Sequence, residues 1–177
     1  MKIKKMFFVI LSSMFFVIAC SSKSDDVVKN EIKVNGQVLT VEKISLTQKG
    51  IDNEITKYIL LITEKGIEFD DKGDVSGGKG GVFYTDIYSK NTFGLNSGTY
   101  STNKGKENDL DFSIEDAEYS FEWDMSKGDN VEFIEIEKGT IFITKNRDTY
   151  NIDFNLIDEN DNVVTGSYNG SIDVKVD

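Results

Sequence analysis

The sequence predicts an all-β domain, an antiparallel β-sandwich or an up-and-down barrel of about nine or ten strands. Three observations carry that prediction. From Glu31 onward apolar and polar residues alternate with a period of two, as in strands with one buried and one wet face. Glycine- and asparagine-containing turn signals punctuate the alternation at short intervals, and neighbours joined by tight turns must run antiparallel. No stretch of the same region carries an apolar stripe at helical spacing with a cap.

The first element precedes the fold. Lys2, Lys4 and Lys5 form a basic head, and Met6 to Ala19 form an apolar core broken only by Ser12 and Ser13. At about 14 residues that core is shorter than the roughly 20 needed to span a bilayer as a helix. A basic head, a short apolar core and a small residue before the cut describe a secretory signal peptide over residues 1–19.

The next four letters give an address. Val17-Ile18-Ala19-Cys20 ends on the only cysteine of the chain and resembles the lipobox of bacterial lipoproteins. The resemblance implies cleavage before Cys20 and acylation of its thiol and new amino group. Each buried methylene adds about 0.8 kcal/mol, so more than one chain gives durable anchoring. Ser21 in the following position implies the outer membrane, where an aspartate would imply retention in the inner one. Lys23-Ser24-Asp25-Asp26 resembles the lysine-plus-acidic-pair signal of surface lipoproteins in the Bacteroidetes, interrupted by Ser24, and favours the cell surface over the periplasmic face. Residues 20–30 then read as the lipidated cysteine and a flexible tether. Ten such residues have a root-mean-square reach of about 17 Å and a contour of about 33 Å.

Residues 31–177 are read as a single β domain. Without the three lysines of the leader, 17 of the 20 basic residues remain against 31 acidic ones, a net charge of −14. Such a surface repels nucleic acid and anionic head groups, so a nucleic-acid partner is excluded. No second cysteine exists to form a disulfide in an oxidising envelope, so packing alone must hold the domain. Proline is absent, which rules out prolyl isomerisation as a slow folding step.

The strands follow in order near 31–35, 37–47, 55–64, 66–70, 81–89, 98–102, 109–115, 118–125, 131–145, 149–157 and 163–176, with Gly139 a possible break in the ninth. Asn35-Gly36 joins the first two as a two-residue hairpin turn, whose central residues both need positive φ. Asp70 to Gly81, "DDKGDVSGGKGG", reads as a mobile glycine-rich loop. Leu110, Phe112 and Ile114, then Tyr119, Phe121, Trp123 and Met125, alternate with polar residues. Tyr150, Ile152, Phe154 and Leu156 do the same. Val164, Tyr168, Ile172, Val174 and Val176 share one parity with Gly166 and Gly170; glycine on an apolar face makes room in a strongly coiled sheet.

The segment from Gly139 to Ile172, including "TYNIDFNLIDENDNVVTGSYNGSI", resembles the C-terminal half of many small lipoproteins of the Bacteroidetes, and "LNSGTY" (Leu95 to Tyr100) occurs in the same proteins. The resemblance implies an all-β envelope lipoprotein and brings no catalytic residue with it.

Histidine is absent and the one thiol is assigned to the lipid, which removes histidine-dependent triads, cysteine nucleophiles and thiolate or imidazole metal sites. Carboxylates remain. Asp111, Glu122 and Asp153 fall on the wet faces of strands, where a solvated surface is the simpler reading than a glycosidase pair. Asp158, Asn160 and Asn162 have the spacing of the first three ligands of a calcium loop, but Val163 and Asn169 stand where glycine and glutamate should follow; a hydrogen-bonded turn is the alternative. Asp70, Asp71 and Asp74 pose the same question. "SGGKGG" (Ser76 to Gly81) lacks the full phosphate-loop pattern. Tyr84, Tyr88, Tyr119, Phe121 and Trp123 are candidate ligand-binding residues, or simply core. The functional expectation is an outer-membrane-anchored lipoprotein presenting a non-enzymatic β domain for binding or structural interaction, with a protein or glycan partner at the cell surface and no cofactor. The alternatives are a lipocalin-like binder of a small apolar or glycan ligand and a carboxylate-based hydrolase.

Overall fold

The computed structural model describes residues 29–52, 54–71, 74–102 and 110–176; the leader, Cys20 and most of the tether lie outside these residues. The described chain is all-β. Its strands are β1 (Glu31–Val34), β2 (Gln37–Thr40), β3 (Lys43–Asp52), β4 (Ile55–Thr63), β5 (Ile67–Phe69), β6 (Val75–Ser89), β7 (Gly98–Thr102), β8 (Ser113–Asp124), β9 (Ile134–Asn146), β10 (Thr149–Asp158), β11 (Val163–Gly170) and β12 (Asp173–Val176). A 3-10 helix over Met125–Asn130 links β8 to β9, and among the described residues no helix is long and apolar enough to cross a membrane.

The strands form one curled sheet in the order β12-β3-β4-β6-β8-β7-β9-β10-β11-β1-β2, with β5 paired on β6. Most pairings are antiparallel; β12 with β3 and β7 with β8 are parallel. Two corners fold the sheet over its core, bringing β2 against β6. The run predicted as one strand over 37–47 pairs with β1 through Gln37–Thr40, breaks at Val41-Glu42, and pairs with β4 from Lys43 onward. The run predicted over 163–176 likewise leaves β1 after Ser167 and β10 after Gly170, and rejoins the sheet beside β3 at Asp173. A strand that changes partners halfway is how an orthogonally packed sheet turns a corner.

The Glu64 side chain ties the first corner. One carboxylate oxygen accepts from the Thr40 N–H at 2.8 Å and the other from the Gly81 N–H at 2.8 Å. Backbone bonds from Glu42 N–H to the Thr63 carbonyl and from Val41 N–H to the Asn30 carbonyl, both 2.9 Å, complete the seam.

Inside the curl lies one continuous core. Tyr58, Leu60 and Ile62 from β4, Phe83 and Ile87 from β6, Tyr100 from β7, Ile141 and Ile143 from β9, and Ile152, Phe154 and Leu156 from β10 are all essentially inaccessible. Phe83 meets Phe154 edge-on with ring centroids 5.6 Å apart. Period-two alternation is what fills this interior: β10 buries Tyr150, Ile152, Phe154 and Leu156 and leaves Asp153 and Asn155 outside.

Local departures from the predicted strands have physical causes. Residues 109–115 and 118–125 do not make two strands. Leu110 to Ser113 form a turn, closed by the Ser113 N–H and hydroxyl on the Leu110 carbonyl at 3.0 and 2.6 Å, and β8 then runs unbroken through a bulge at Asp116, φ 46°. The glycine-rich "loop" is largely strand, because Val75 to Gly81 open β6 and pair with β5 and β8. Gly78, at φ +93°, comes so close to β5 that a Cβ would lie 1.9 Å from the Gly66 carbonyl oxygen. Glycine here permits close backbone approach instead of mobility.

Candidate functional site

The candidate site flanks β8 and β9 beside Thr102, the last described residue of β7. On one flank β7 pairs with β9 from Gly98 to Ser101, and on the other it meets β8 only at Ser101 and Thr102. Further along, β8 and β9 touch directly through Glu118 opposite Glu135 and Tyr119 opposite Ile134. Between Thr102 and that contact lies a groove of about 510 Å³. Ile114, Ala117 and Ile136, all buried, make its floor. Glu115, Asp116, Glu118, Glu135, Glu137 and Glu159 make its walls, with Tyr84 at the rim.

The bulge at Asp116 gathers these carboxylates. It breaks the alternation of β8, so that Glu115, Asp116 and Glu118 all reach the groove. The Glu159 N–H donates to the Glu135 carbonyl at 2.9 Å and draws the β10–β11 turn alongside. Among the described residues no basic side chain lines the groove. Burial, then the neighbouring charges of Glu135 and Asp116, push the Glu118 carboxyl above its ordinary range. Asp116, Glu135, Glu137 and Glu159 are exposed, so the walls form an open, wet, electronegative channel over an apolar base. Its chemistry suits the capture of positive charge carried on a hydrocarbon stem.

The five aromatic candidates do not line a common cavity. Tyr84 and Tyr88 face outward from β6, opposite in parity to the core residues Phe83 and Ile87. The Tyr84 hydroxyl donates to Asp86 at 3.2 Å and that of Tyr88 to Glu115 at 2.9 Å, while Lys57 Nζ pairs with Asp86 at 2.5 Å. Burial and then the Asp86 carboxylate push Tyr84 up to about 12; burial and the Glu115 hydrogen bond raise Tyr88 as well. Both hydroxyls are therefore protonated donors at neutral pH, part of a surface network. Tyr119 is buried in the core cluster, and Phe121 packs against it at 5.5 Å between centroids. Trp123 lies opposite Gly80, near the far end of β8.

Asp158, Asn160 and Asn162 do come together, as a turn. Asp158 is fully buried. Its Oδ1 accepts from the N–H groups of Asn160 and Asn162 at 2.9 and 2.8 Å; its Oδ2 accepts from the Tyr119 hydroxyl at 2.7 Å and the Asn162 amide at 3.0 Å. Burial alone would raise this carboxyl, but those donors, Tyr119 foremost, outweigh it and hold the carboxyl below the ordinary range. The Asn162 amide oxygen accepts in turn from the Asn35 amide at 2.7 Å. Every oxygen of Asp158 thus has protein donors, and among the described residues no cluster of three or more carboxylates is arranged to hold a metal ion. Asp70 and Asp74 also close a turn, through Asp74 N–H to the Asp70 carboxylate at 3.0 Å.

Glu122 and Asp153 are exposed, and Asp111 lies beside Lys90 at 3.7 Å. Cys20 falls outside the described residues. Sequence reasoning missed the groove, because its walls depend on one bulge and on the long-range meeting of β8, β9 and the β10–β11 turn. The only local signal was the acidic density of "SIEDAE" (Ser113 to Glu118) and "EIEK" (Glu135 to Lys138).

Comparison with protein-family models, curated proteins and solved structures finds no match.

Proposed function

We propose that the chain is an outer-membrane lipoprotein, anchored through acylated Cys20, that presents its β domain at the cell surface as a non-enzymatic binding module. The observation that carries this reading is where the apolar and the acidic side chains lie. The aromatic and aliphatic residues fill the curl of the sheet, while the carboxylates crowd an open groove on its outside. A lipocalin-like binder needs its aromatics around an enclosed space, and a carboxylate hydrolase needs a proton-holding acid that faces a second carboxylate across a cleft. Glu118, among the described residues the one groove carboxyl raised by burial, instead has Glu135 beside it on the neighbouring strand. An open acidic channel over an apolar base instead suits a basic segment of a partner protein, its lysine or arginine stems on Ile114, Ala117 and Ile136 and its charges on the walls.

Metabolic labelling with palmitate tests the anchor. The wild-type chain is expected to take up label and sediment with outer membranes, and Cys20→Ser to remain unlabelled and soluble. An unlabelled wild-type chain ends the lipoprotein reading. Protease shaving of intact cells tests display: release of the domain supports the surface, and full protection moves it to the periplasmic face. For the groove, an oligolysine peptide should bind with an affinity that falls as salt is raised, and the double variant Glu118→Gln/Glu135→Gln should weaken it. Undiminished binding by that variant would remove the groove from the proposal.

A further inference from the structure

The loop between β6 and β7, residues 90–97, holds the most exposed large apolar side chain among the described residues: Phe93 is 80 % exposed. Hydrogen bonds pin the loop backbone at several points. The Tyr58 hydroxyl donates to the Asn91 carbonyl at 2.6 Å and accepts from the Gly94 N–H at 3.1 Å. The Phe93 N–H donates to the Asn91 side chain at 3.0 Å, and the Lys145 N–H to the Ser97 hydroxyl at 2.8 Å. Leu95, two residues on, is fully buried. The loop backbone is thus held in place with Phe93 on the outside, while Leu95 plugs the core.

Other apolar side chains share this end. Val174 lies against Gly94; Val176 is 69 % exposed two pairs further along β12. Ile51, 55 % exposed, sits opposite Thr56, which pairs with Ser89 at the root of the loop. The tether enters at the same end of the β7-β9-β10-β11-β1 half of the sheet. The Ser167 hydroxyl binds the Lys29 carbonyl at 3.1 Å, and Asn30 exchanges hydrogen bonds with the backbone of Asn169 at 3.3 and 2.9 Å. Asn169 pairs with Asn151, whose neighbour Tyr150 pairs with Lys145, and Lys145 Nζ reaches the Phe93 carbonyl at 3.5 Å. Four strand spacings, about 19 Å, separate the tether from that loop.

We propose that the Phe93 end of the domain is its membrane-facing end, with Phe93 seated in the interfacial layer of the bilayer that carries the anchor. The inference rests on acylation of Cys20 as proposed above. From Cys20 to Lys29 the chain spans nine residue steps, at most about 30 Å, so this end stays near the lipid surface. The tether alone leaves the domain free to turn, and the apolar rim sets the pose. Charge at this end is mixed, Lys29, Lys49, Lys90, Lys145 and Arg147 against Asp52, Glu54, Asp111 and Asp148, so the contact is chiefly apolar. The acidic groove opens beside Glu159, at the opposite end of β10 from Tyr150. Anionic head groups repel it, which turns it outward.

The test uses the mature acylated protein, beginning at Cys20, in phosphatidylcholine vesicles with brominated acyl chains, which quench nearby indoles. Trp123, the only tryptophan, lies ten residues along β8 from Ser113, about 33 Å from the membrane-facing end, and serves as the distant reporter in the wild type. The second reporter is Phe93→Trp in a Trp123→Phe background. The indole introduced at position 93 is expected to lose emission and shift to the blue in brominated vesicles, and Trp123 of the wild type to keep its emission. Protein that floats with the vesicles while the position-93 reporter stays unquenched overturns the orientation and leaves the anchor standing. Equal quenching of both reporters does the same, as does shielding of position 93 from aqueous iodide without lipid quenching, the signature of a protein partner. Protein that fails to float overturns the anchor and the orientation together.

Discussion

Asp158 shows how one side chain joins distant parts of the chain. Its carboxylate caps the turn that follows β10 and takes the Tyr119 hydroxyl across the core, 39 residues away in sequence. A buried carboxylate is tolerated only when its lone pairs are filled, and here all four donors are protein groups. Removing the acceptor strands them: Asp158→Ala is expected to destabilise the domain by about 3 kcal/mol, within the range for breaking a buried polar network. Tyr119→Phe removes one donor and should cost about 1–2 kcal/mol. Because the two side chains share a bond, the double variant should lose less than the sum of the singles. Urea-unfolding midpoints of the three variants measure this directly; strict additivity would mean the bond contributes nothing.

At the scale of strands, the sequence was legible wherever a residue's neighbours decided its face. β10 alternates without a break, and the Asn35-Gly36 turn, with φ of 50° and 81°, joins β1 to β2 as read. What stayed hidden was decided by distant partners. Val174 and Val176 keep the parity of Val164 and Tyr168, yet they are exposed because the chain turns a corner at Ser171-Ile172. The glycines of "SGGKGG" have the composition of a loop, but β5 and β8 make them a strand. The groove walls lie on β8, β9 and the β10–β11 turn, and no local pattern announces that these three meet. Gly166 marks a tight strand contact: a Cβ there would stand 2.3 Å from the Glu31 carbonyl oxygen, where β11 meets β1. Gly166→Ala must push those strands apart and should cost about 2–4 kcal/mol. Hydrogen exchange gives the finer check. Amides of β1 and β2 should lose protection before those of β4 and β6, and uniform loss would place the damage elsewhere.

Over the whole molecule, charge makes stability depend on pH in two opposing ways. Asp124 is held at about 2, first by Lys79 Nζ at 2.6 Å and then by the Ser126 hydroxyl, and Asp158 is lowered by its donors. Such groups stabilise the fold above the ordinary carboxylate range, near pH 4, and that stability is lost as pH falls through their folded values. Glu118 acts with the opposite sign. Burial, Glu135 and Asp116 raise its folded value, so the folded state holds a proton that the unfolded chain releases, and stability declines as pH rises through that raised value. The profile should therefore peak on the acidic side of neutrality, with a steep loss below about pH 4 and a shallower one toward neutral pH. Urea midpoints at constant ionic strength between pH 3 and 8 test it. In Glu118→Gln the decline toward neutral pH should flatten while the acid limb stays; in Asp124→Asn the acid limb should become shallower. Screening adds an independent arm: at pH 7, raising salt should stabilise the wild type more than Glu118→Gln, since the Debye length shortens from about 10 Å at 0.1 M to about 3 Å at 1 M. A profile flat from pH 5 to 8 and indifferent to salt would mean that the groove carboxylates, crowded as they are, do not repel one another enough to matter, and the electrostatic case for a cationic partner would fail with it.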